Sequence, residues 1–189
     1  VAGRGLSRLG PIAAAALPDA ISLLDHAEGG RRSAAYTLIA GFGSQADAAV
    51  PMLISIVNAK QGNASGELTC LAAIGPPAKD AVSDLVKWRS QLKDGQYWLR
   101  SRISYALFCI RSDTKDLHYM VRLMADHNVP DWEMQHIMTQ LHAVGAAAAP
   151  VAEEIRSLVE ANKYPGFKER LEDILQRIEN NEAPTRLMP

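Results

Sequence analysis

LAAIGPPAKDAVSDL, residues 71–85, is a helix-forming pattern that is interrupted at its centre by Gly75, Pro76 and Pro77. Apolar residues recur at helical spacing on both sides of the interruption. Glycine directly after an apolar run supplies the left-handed conformation that ends a helix. Proline cannot continue that helix but fits the first turn of the next one. The stretch therefore predicts a helix, a tight turn and a second helix.

The same arrangement occurs at three other places in the chain. A large apolar residue is followed by glycine, then by small residues and often by proline, before a second apolar stretch begins. The glycines are Gly10, Gly43, Gly75 and Gly145. The first three lie 33 and 32 residues apart, and the last interval is 70 residues, so a degenerate unit is expected near Arg111. A fixed period in this range is typical of stacked helical repeats.

This period predicts one domain over residues 1–180 and a flexible tail over residues 181–189. The predicted units are a truncated one at about 6–25, with its second helix at about 11–25, then helix pairs at 31–58, 64–92, 96–127 and 130–162, and a capping helix at 166–180. The predicted apolar stripes of two second helices are Leu53, Ile54 and Val57, then Val82, Leu85 and Val86. Because only nine residues precede Gly10, we expect sequence to be missing before Val1.

Written as Leu-x-x-Ile-Gly-Pro-x-Ala-x-x-Ala-Val-x-x-Leu, residues 71–85 resemble the short HEAT-like repeat, the variety also found in phycobilisome lyases. The resemblance covers most of residues 6–160. It implies an all-α fold, a right-handed α-solenoid of about five HEAT-like helix pairs closed by a C-terminal capping helix. The motifs of ankyrin and tetratricopeptide repeats, which have similar lengths, are absent.

The composition limits the classes of protein that fit. The chain has 189 residues and a net charge of −1, which argues against a dedicated nucleic-acid or membrane-surface binder. Its two cysteines, Cys70 and Cys109, are too few for a disulfide framework and lie in apolar helical runs, so both are expected to be small buried side chains. The sequence shows no secretory signal and no uninterrupted membrane-spanning run. We therefore expect a cytoplasmic protein without a membrane span; the alternative is a protein whose signal peptide has been removed, which would leave the same sequence.

Motifs for catalysis are missing from the sequence. No Walker-type loop, His-Glu-x-x-His motif or Gly-x-Ser-x-Gly elbow occurs. No histidine is followed by glutamate, the pair that HEAT-like hydroxylases resembling deoxyhypusine hydroxylase use as iron ligands. The five histidines also lack a carboxylate or thiol at metal-ligand spacing. We therefore predict no catalytic residue, no metal site and no cofactor, and do not expect an enzyme.

The middle third of the chain has a different character. Residues 87–122 contain eight basic and three acidic residues, together with six aromatic ones, whereas residues 153–182 contain five basic and eight acidic residues. Arginine with tryptophan and tyrosine is the mixture enriched at interface hot spots, and positive charge steers acidic partners. An alternative interpretation is that the aromatic residues form core and the charges a solvated helix face.

These observations predict a non-enzymatic scaffold or adaptor that binds a protein partner on the concave face lined by the second helices, and the local positive charge favours an acidic partner. The predicted binding residues are Asp84, Lys87, Trp88, Tyr97, Trp98, Tyr119 and Arg122. Nucleic acid is not the expected partner, because the basic stretch is confined to about one unit. The sequence does not predict an oligomeric state.

Three other functions fit the same pattern. One is a bacterial immunity protein that neutralises a toxin, since a compact solenoid without catalytic motifs could do this. Another is a bilin-lyase-like enzyme. This function is supported by the repeat resemblance and by the aromatic and basic residues of the middle third. The third is a C-terminal module of a larger enzyme. Fold alone does not choose between these functions.

Overall fold

The computed structural model describes residues 10–26, 30–60, 64–126, 128–161 and 164–185. No strand occurs in these ranges, and 87% of their residues are helical, which confirms the predicted all-α class. The α-helices are α1 Gly10–His26, α2 Gly30–Phe42, α3 Val50–Lys60, α4 Ser65–Ile74, α5 Val82–Gln91, α6 Tyr97–Arg111, α7 Thr114–Ala125, α8 Asp131–Val144, α9 Ala152–Glu160 and α10 Lys168–Glu179. Parts of the predicted units lie outside the described residues. They are residues 6–9 at the start of the truncated unit, residues 127 and 162 at the ends of two predicted helix pairs, and residues 186–189 of the predicted tail.

Short 3-10 segments occupy the predicted turns of three helix pairs. They are Gly43–Ala49 between α2 and α3, Pro76–Ala81 between α4 and α5, and Gly145–Val151 between α8 and α9. Each turn contains a glycine with positive φ, at +57° for Gly43, +70° for Gly75 and +60° for Gly145. Glycine adopts this left-handed region without the steric cost that a Cβ atom adds. The structure therefore confirms the predicted helix–turn–helix pattern at these glycines.

The predicted degenerate unit near Arg111 makes its turn by other means. Helix α6 ends at Arg111, and the next residue, Ser112, has a φ of +54°. Asp113 then caps α7, because its carboxylate accepts a hydrogen bond from the Lys115 N–H at 3.0 Å. A serine in the left-handed region and an aspartate cap thus replace the glycine of the other turns.

Two compact units make up the chain. Unit 1 contains the described residues up to Gln91 together with Cys109–Ser112, and unit 2 contains Leu92–Phe108 and the described residues from Asp113 onward. In unit 1, α2 packs against α1 and α4. The large side chains that are fully buried there are Leu24, Ile39, Leu53, Leu68, Leu71, Ile74 and Leu85. Of the predicted stripe residues, Ile54 and Val82 are only half-buried, and Val86 is exposed, with 37% of its surface accessible.

The core of unit 2 is formed by helices α7, α8, α9 and α10. Its apolar side chains include Leu117, Met120, Met124, Met134, Ile137, Met138, Leu141, Ile155, Leu171 and Ile174. The four methionines are therefore core residues, as their helical spacing indicates. Helix α10 buries Leu171, Ile174 and Leu175, with Phe167 and Ile178 half-buried beside them, so one face of the last helix packs on this core.

Within the described ranges, one continuous helical stretch, Gly30–Ala59, is long and apolar enough to span a membrane by length and composition, with a mean hydropathy of 1.2. Half of its most apolar window is buried inside the protein. The stretch is also kinked, because Ala46 has non-helical φ and ψ angles of −96° and 26°. These features are typical of a core helix pair, and the absence of a membrane span stays a prediction.

Candidate interaction surface

An open depression lies on the second-helix side of unit 1. It is lined by Val57 and Asn58 of α3 and by Asp84, Lys87, Trp88 and Gln91 of α5. The α5 residues are three, four and seven positions apart, so they share one face of the helix. Val57 and Trp88 are buried, whereas Asn58, Lys87 and Gln91 are exposed. The depression therefore has an apolar floor and a polar rim.

Three of the seven predicted binding residues, Asp84, Lys87 and Trp88, come together in this depression. Its volume is about 300 Å³ with open solvent included. Because this volume includes open solvent, the depression is well below the size of pockets that enclose a small-molecule ligand, which hold about 300–1,000 Å³. An open depression of this size fits a side chain or a short segment of a protein partner better than a tetrapyrrole.

The other four predicted residues belong to unit 2. Tyr97, at the start of α6, is buried, and its hydroxyl donates a hydrogen bond to Asp126 Oδ2 at 2.9 Å. This hydrogen bond, together with burial, raises the pKa of Tyr97. Tyr119 is half-buried against the core, and Arg122, three residues further along α7, is exposed. Tyr97 therefore acts mainly in packing, and Arg122 offers its charge to solvent.

Trp98 forms the centre of a polar cluster between α6 and α8. The Arg102 guanidinium lies over the Trp98 ring, 4.8 Å from its centroid, a cation–π geometry. Burial lowers the pKa of Arg102. The backbone N–H of Trp98 donates a hydrogen bond to the carboxyl group of Glu133, which satisfies one of the free donors in the first turn of α6. Only 5% of Glu133 is exposed, and this burial raises its pKa.

Three residues of unit 2 with unusual surroundings were not predicted from the sequence: Arg102, Glu133 and Trp132. Arg102 follows Trp98 by four residues, a helical spacing from which their contact could have been read. The contact between Glu133 and Trp98 joins two helices, and no sequence pattern near either residue indicates it. Trp132, in the first turn of α8, has 58% of its surface exposed, although a tryptophan in a helix normally indicates core.

His136 lies one turn after Glu133 on α8, and its pKa depends on this cluster. Burial lowers its pKa below the ordinary value of 6.5, and the positive charge of Arg102 lowers it further. Neutral His136 is therefore the form that the folded protein favours. As the pH falls below 6.5, the unfolded chain binds the proton first, and stability is lost.

We expect an NMR titration of the His136 ring to give a pKa below 6.5. Arg102→Gln should raise this pKa, because it removes the neighbouring positive charge. Arg100→Gln is the matched control: it removes the same charge from the same helix, but Arg100 donates to the Leu92 carbonyl and Asp94. Equal His136 pKa values in the Arg102→Gln variant and the wild type would contradict this account.

Titratable groups elsewhere form pairs rather than ligand sets. His118 Nδ1 lies 2.6 Å from Glu154 Oε1, and His142 Nε2 lies 3.1 Å from Asp173 Oδ2. Among the residues that the structure describes, no group of three or more metal-ligating side chains occurs.

Cys70 is buried, and its thiol donates a hydrogen bond to the Tyr36 carbonyl at 3.3 Å. Burial raises the pKa of this thiol. A raised pKa leaves little of the nucleophilic thiolate.

The described residues define an all-α protein in which three helix pairs are joined by glycine turns. No family model, no curated protein and no solved structure matches the chain.

Proposed function

We propose that the chain is a HEAT-like helical-repeat protein, an α-solenoid that acts as a non-enzymatic scaffold or adaptor for a protein partner. The partner binds on the face formed by the second helices. The observation that carries this proposal is the depression between α3 and α5, which are second helices of consecutive pairs in unit 1. Repeat proteins use the surfaces of their stacked helices in this way.

The chemistry of the depression suggests the chemistry of the partner. Its apolar floor of Val57 and Trp88 accepts an apolar side chain, and the exposed ammonium group of Lys87 stands at its rim. A partner segment that combines an apolar residue with a neighbouring carboxylate is complementary to both features. In unit 2, the exposed Arg122 adds positive charge to the second-helix side of α7.

Charge reversal at the rim tests this function. Full-length wild type, Lys87→Glu and Lys79→Glu are used as baits in one lysate, and the captured proteins are quantified. Lys79 is the matched control, because it is an exposed lysine of unit 1 in the turn between α4 and α5 rather than in the depression. We expect Lys87→Glu to weaken the capture of a specific partner about tenfold, as is usual for a lost close charge pair.

The wild type and Lys79→Glu should capture that partner equally, and added salt should weaken both complexes. Combined replacement of Lys87, Trp98 and Arg122 extends the test to the whole predicted site. If this triple variant keeps the full affinity of the wild type for the captured protein, the predicted residues do not form the binding surface.

A further inference from the structure

The chain returns to the Gly145 turn after α10 ends. The Ala146 N–H donates a hydrogen bond to the Glu182 carbonyl at 2.8 Å, and the Thr185 N–H donates to the Ala143 carbonyl at 2.7 Å. Residues 182–185, which we call the strap, therefore run alongside residues 143–146, which we call the edge. The two segments run in opposite directions, but the edge is not a strand. Ala143 lies in the last turn of α8, where carbonyl groups have no partner within the helix, and Ala146 lies in the 3-10 segment that follows.

Side-chain contacts fix the first residue of the strap. Arg177 Nε lies 3.4 Å from Glu182 Oε2, and Arg177 Nη2 donates to the Ala183 carbonyl at 3.3 Å. The Arg177 side chain is only 14% exposed, so its charge is held in place. The edge thus offers one N–H, one carbonyl and one oriented guanidinium to the segment that lies on it.

Gly145 permits this close approach. A Cβ atom at Gly145 would lie 2.5 Å from the Glu182 carbonyl oxygen, a distance at which something must shift. Gly75 has nearly the same backbone conformation, with φ and ψ of 70° and −136° against 60° and −138°. A Cβ atom at Gly75 would lie 3.4 Å from the nearest atom, the Cys109 carbonyl oxygen, which is ordinary contact. Of these two turns, only the one at Gly145 packs so closely against another segment that a side chain must be absent.

The two turns also differ in the residue that follows the glycine. Pro76 follows Gly75 and has no N–H, whereas Ala146 follows Gly145 and donates to the strap. The turn at Gly145 therefore combines an available donor with the space for a second backbone. Neither property is needed for the helix–turn–helix pattern itself, because the turn at Gly75 forms without the donor.

We propose that the edge at residues 143–146, together with Arg177, is a binding site for an extended acidic peptide, and that the strap fills this site in the isolated chain. The class of ligand is set by the strap: a glutamate for Arg177, followed by small residues and proline. Main-chain hydrogen bonds to Ala143 and Ala146 supply the affinity, and the contact of a carboxylate with Arg177 supplies the specificity. A partner segment of this kind replaces the strap.

The test needs a variant in which the strap is released and the edge is intact. Glu182→Lys places a like charge beside Arg177, and Thr185→Pro removes the N–H that bonds Ala143, so the double variant E182K/T185P meets this need. The probe is the peptide acetyl-Asn-Glu-Ala-Pro-Thr-amide, titrated into the labelled protein while amide NMR shifts are recorded. A tethered segment acts at an effective concentration in the millimolar range, so the titration extends over that range.

We expect the peptide to shift the Ala146 amide of E182K/T185P and to bind the wild type at least tenfold more weakly, because the tethered strap competes. A peptide with lysine in place of glutamate should bind the variant at least tenfold more weakly than the original. Adding Ala146→Pro to the double variant should abolish binding. Adding Ala147→Pro should not, since it keeps the Ala146 N–H and places proline where Pro77 stands in the turn at Gly75.

The proposal is overturned if E182K/T185P shows no peptide binding up to the solubility limit, or if binding persists with Ala146→Pro. It is equally overturned if the glutamate and lysine peptides bind alike, a result that does not depend on whether the Ala146→Pro variant folds. Hydrogen exchange provides a second measurement in the otherwise unchanged chain. Ala146→Pro should speed exchange of the Thr185 amide at least tenfold, whereas Ala147→Pro should leave it as in the wild type; equal rates in both variants would contradict the assigned contact.

Discussion

Replacement of Gly66 with alanine is expected to lower the free energy of unfolding by about 3 kcal/mol, the upper end of the usual cost of overpacking. Gly66 is the second residue of α4, and a Cβ atom there would lie 2.2 Å from Cδ2 and 2.4 Å from Cε2 of the Tyr36 ring. Tyr36 is buried on α2, so its ring cannot simply rotate into solvent. The clash outweighs the gain in helix propensity, which is about 1 kcal/mol for Gly→Ala.

Denaturant unfolding of the two proteins measures this effect. Gly30→Ala is the matched control, because Gly30 is also in the first turn of a helix of unit 1 but has nothing within 4 Å of its Cβ position. Gly30→Ala should be neutral or slightly stabilising. A Gly66→Ala variant as stable as the wild type would show that α2 and α4 pack less closely than the structure has them.

Replacement of Tyr36 with phenylalanine is expected to cost about 2–3 kcal/mol of unfolding free energy, the usual range for losing a hydrogen bond to a charged buried group. The Tyr36 hydroxyl donates to Glu67 Oε1, and Glu67 is only 2% exposed. Phenylalanine keeps the ring and the packing but leaves this carboxyl oxygen without the hydroxyl. Burial, together with the hydrogen bond to Glu67, raises the pKa of Tyr36, so the hydroxyl stays protonated and remains a donor.

Tyr164→Phe serves as the comparison for this variant. The Tyr164 hydroxyl donates to the Met124 backbone carbonyl, a neutral acceptor, so its loss should cost only about 1 kcal/mol. Adding Glu67→Met to Tyr36→Phe should cost less than the sum of the two single changes, because each change removes the same hydrogen bond. Additive losses in this double-mutant cycle would mean that Tyr36 and Glu67 do not interact.

The turns were predictable from the sequence because the conformation itself selects the residue. Gly43, Gly75 and Gly145 adopt positive φ, and this requirement is visible as glycine after an apolar residue. Ser112 adopts a φ of +54° in the degenerate unit, but serine occurs in many conformations and does not mark a turn by itself. The break near Arg111 could therefore be located from the repeat period, whereas its geometry could not.

The candidate site was predictable only as far as it is local. Asp84, Lys87 and Trp88 share one face of α5, so helical spacing placed them together. Glu67 interrupts an apolar run in α4, and nothing nearby in the sequence indicates that its partner is Tyr36, 31 residues away. The same holds for the return of the strap to the edge, since the two segments are joined through backbone atoms that every residue carries. Long-range polar pairing is the part of the structure that a single sequence does not reveal.

The near-identical backbone angles of Gly75 and Gly145 also bear on how such a chain can evolve. A turn between two helices that depends on the positive φ of a single glycine needs no matching substitution in distant parts of the molecule. Duplication or deletion of the DNA that encodes one helix pair can then lengthen or shorten the protein while every remaining turn stays intact. Homologous genes should accordingly differ in length by whole periods, with the added or lost segments starting and ending near such glycines.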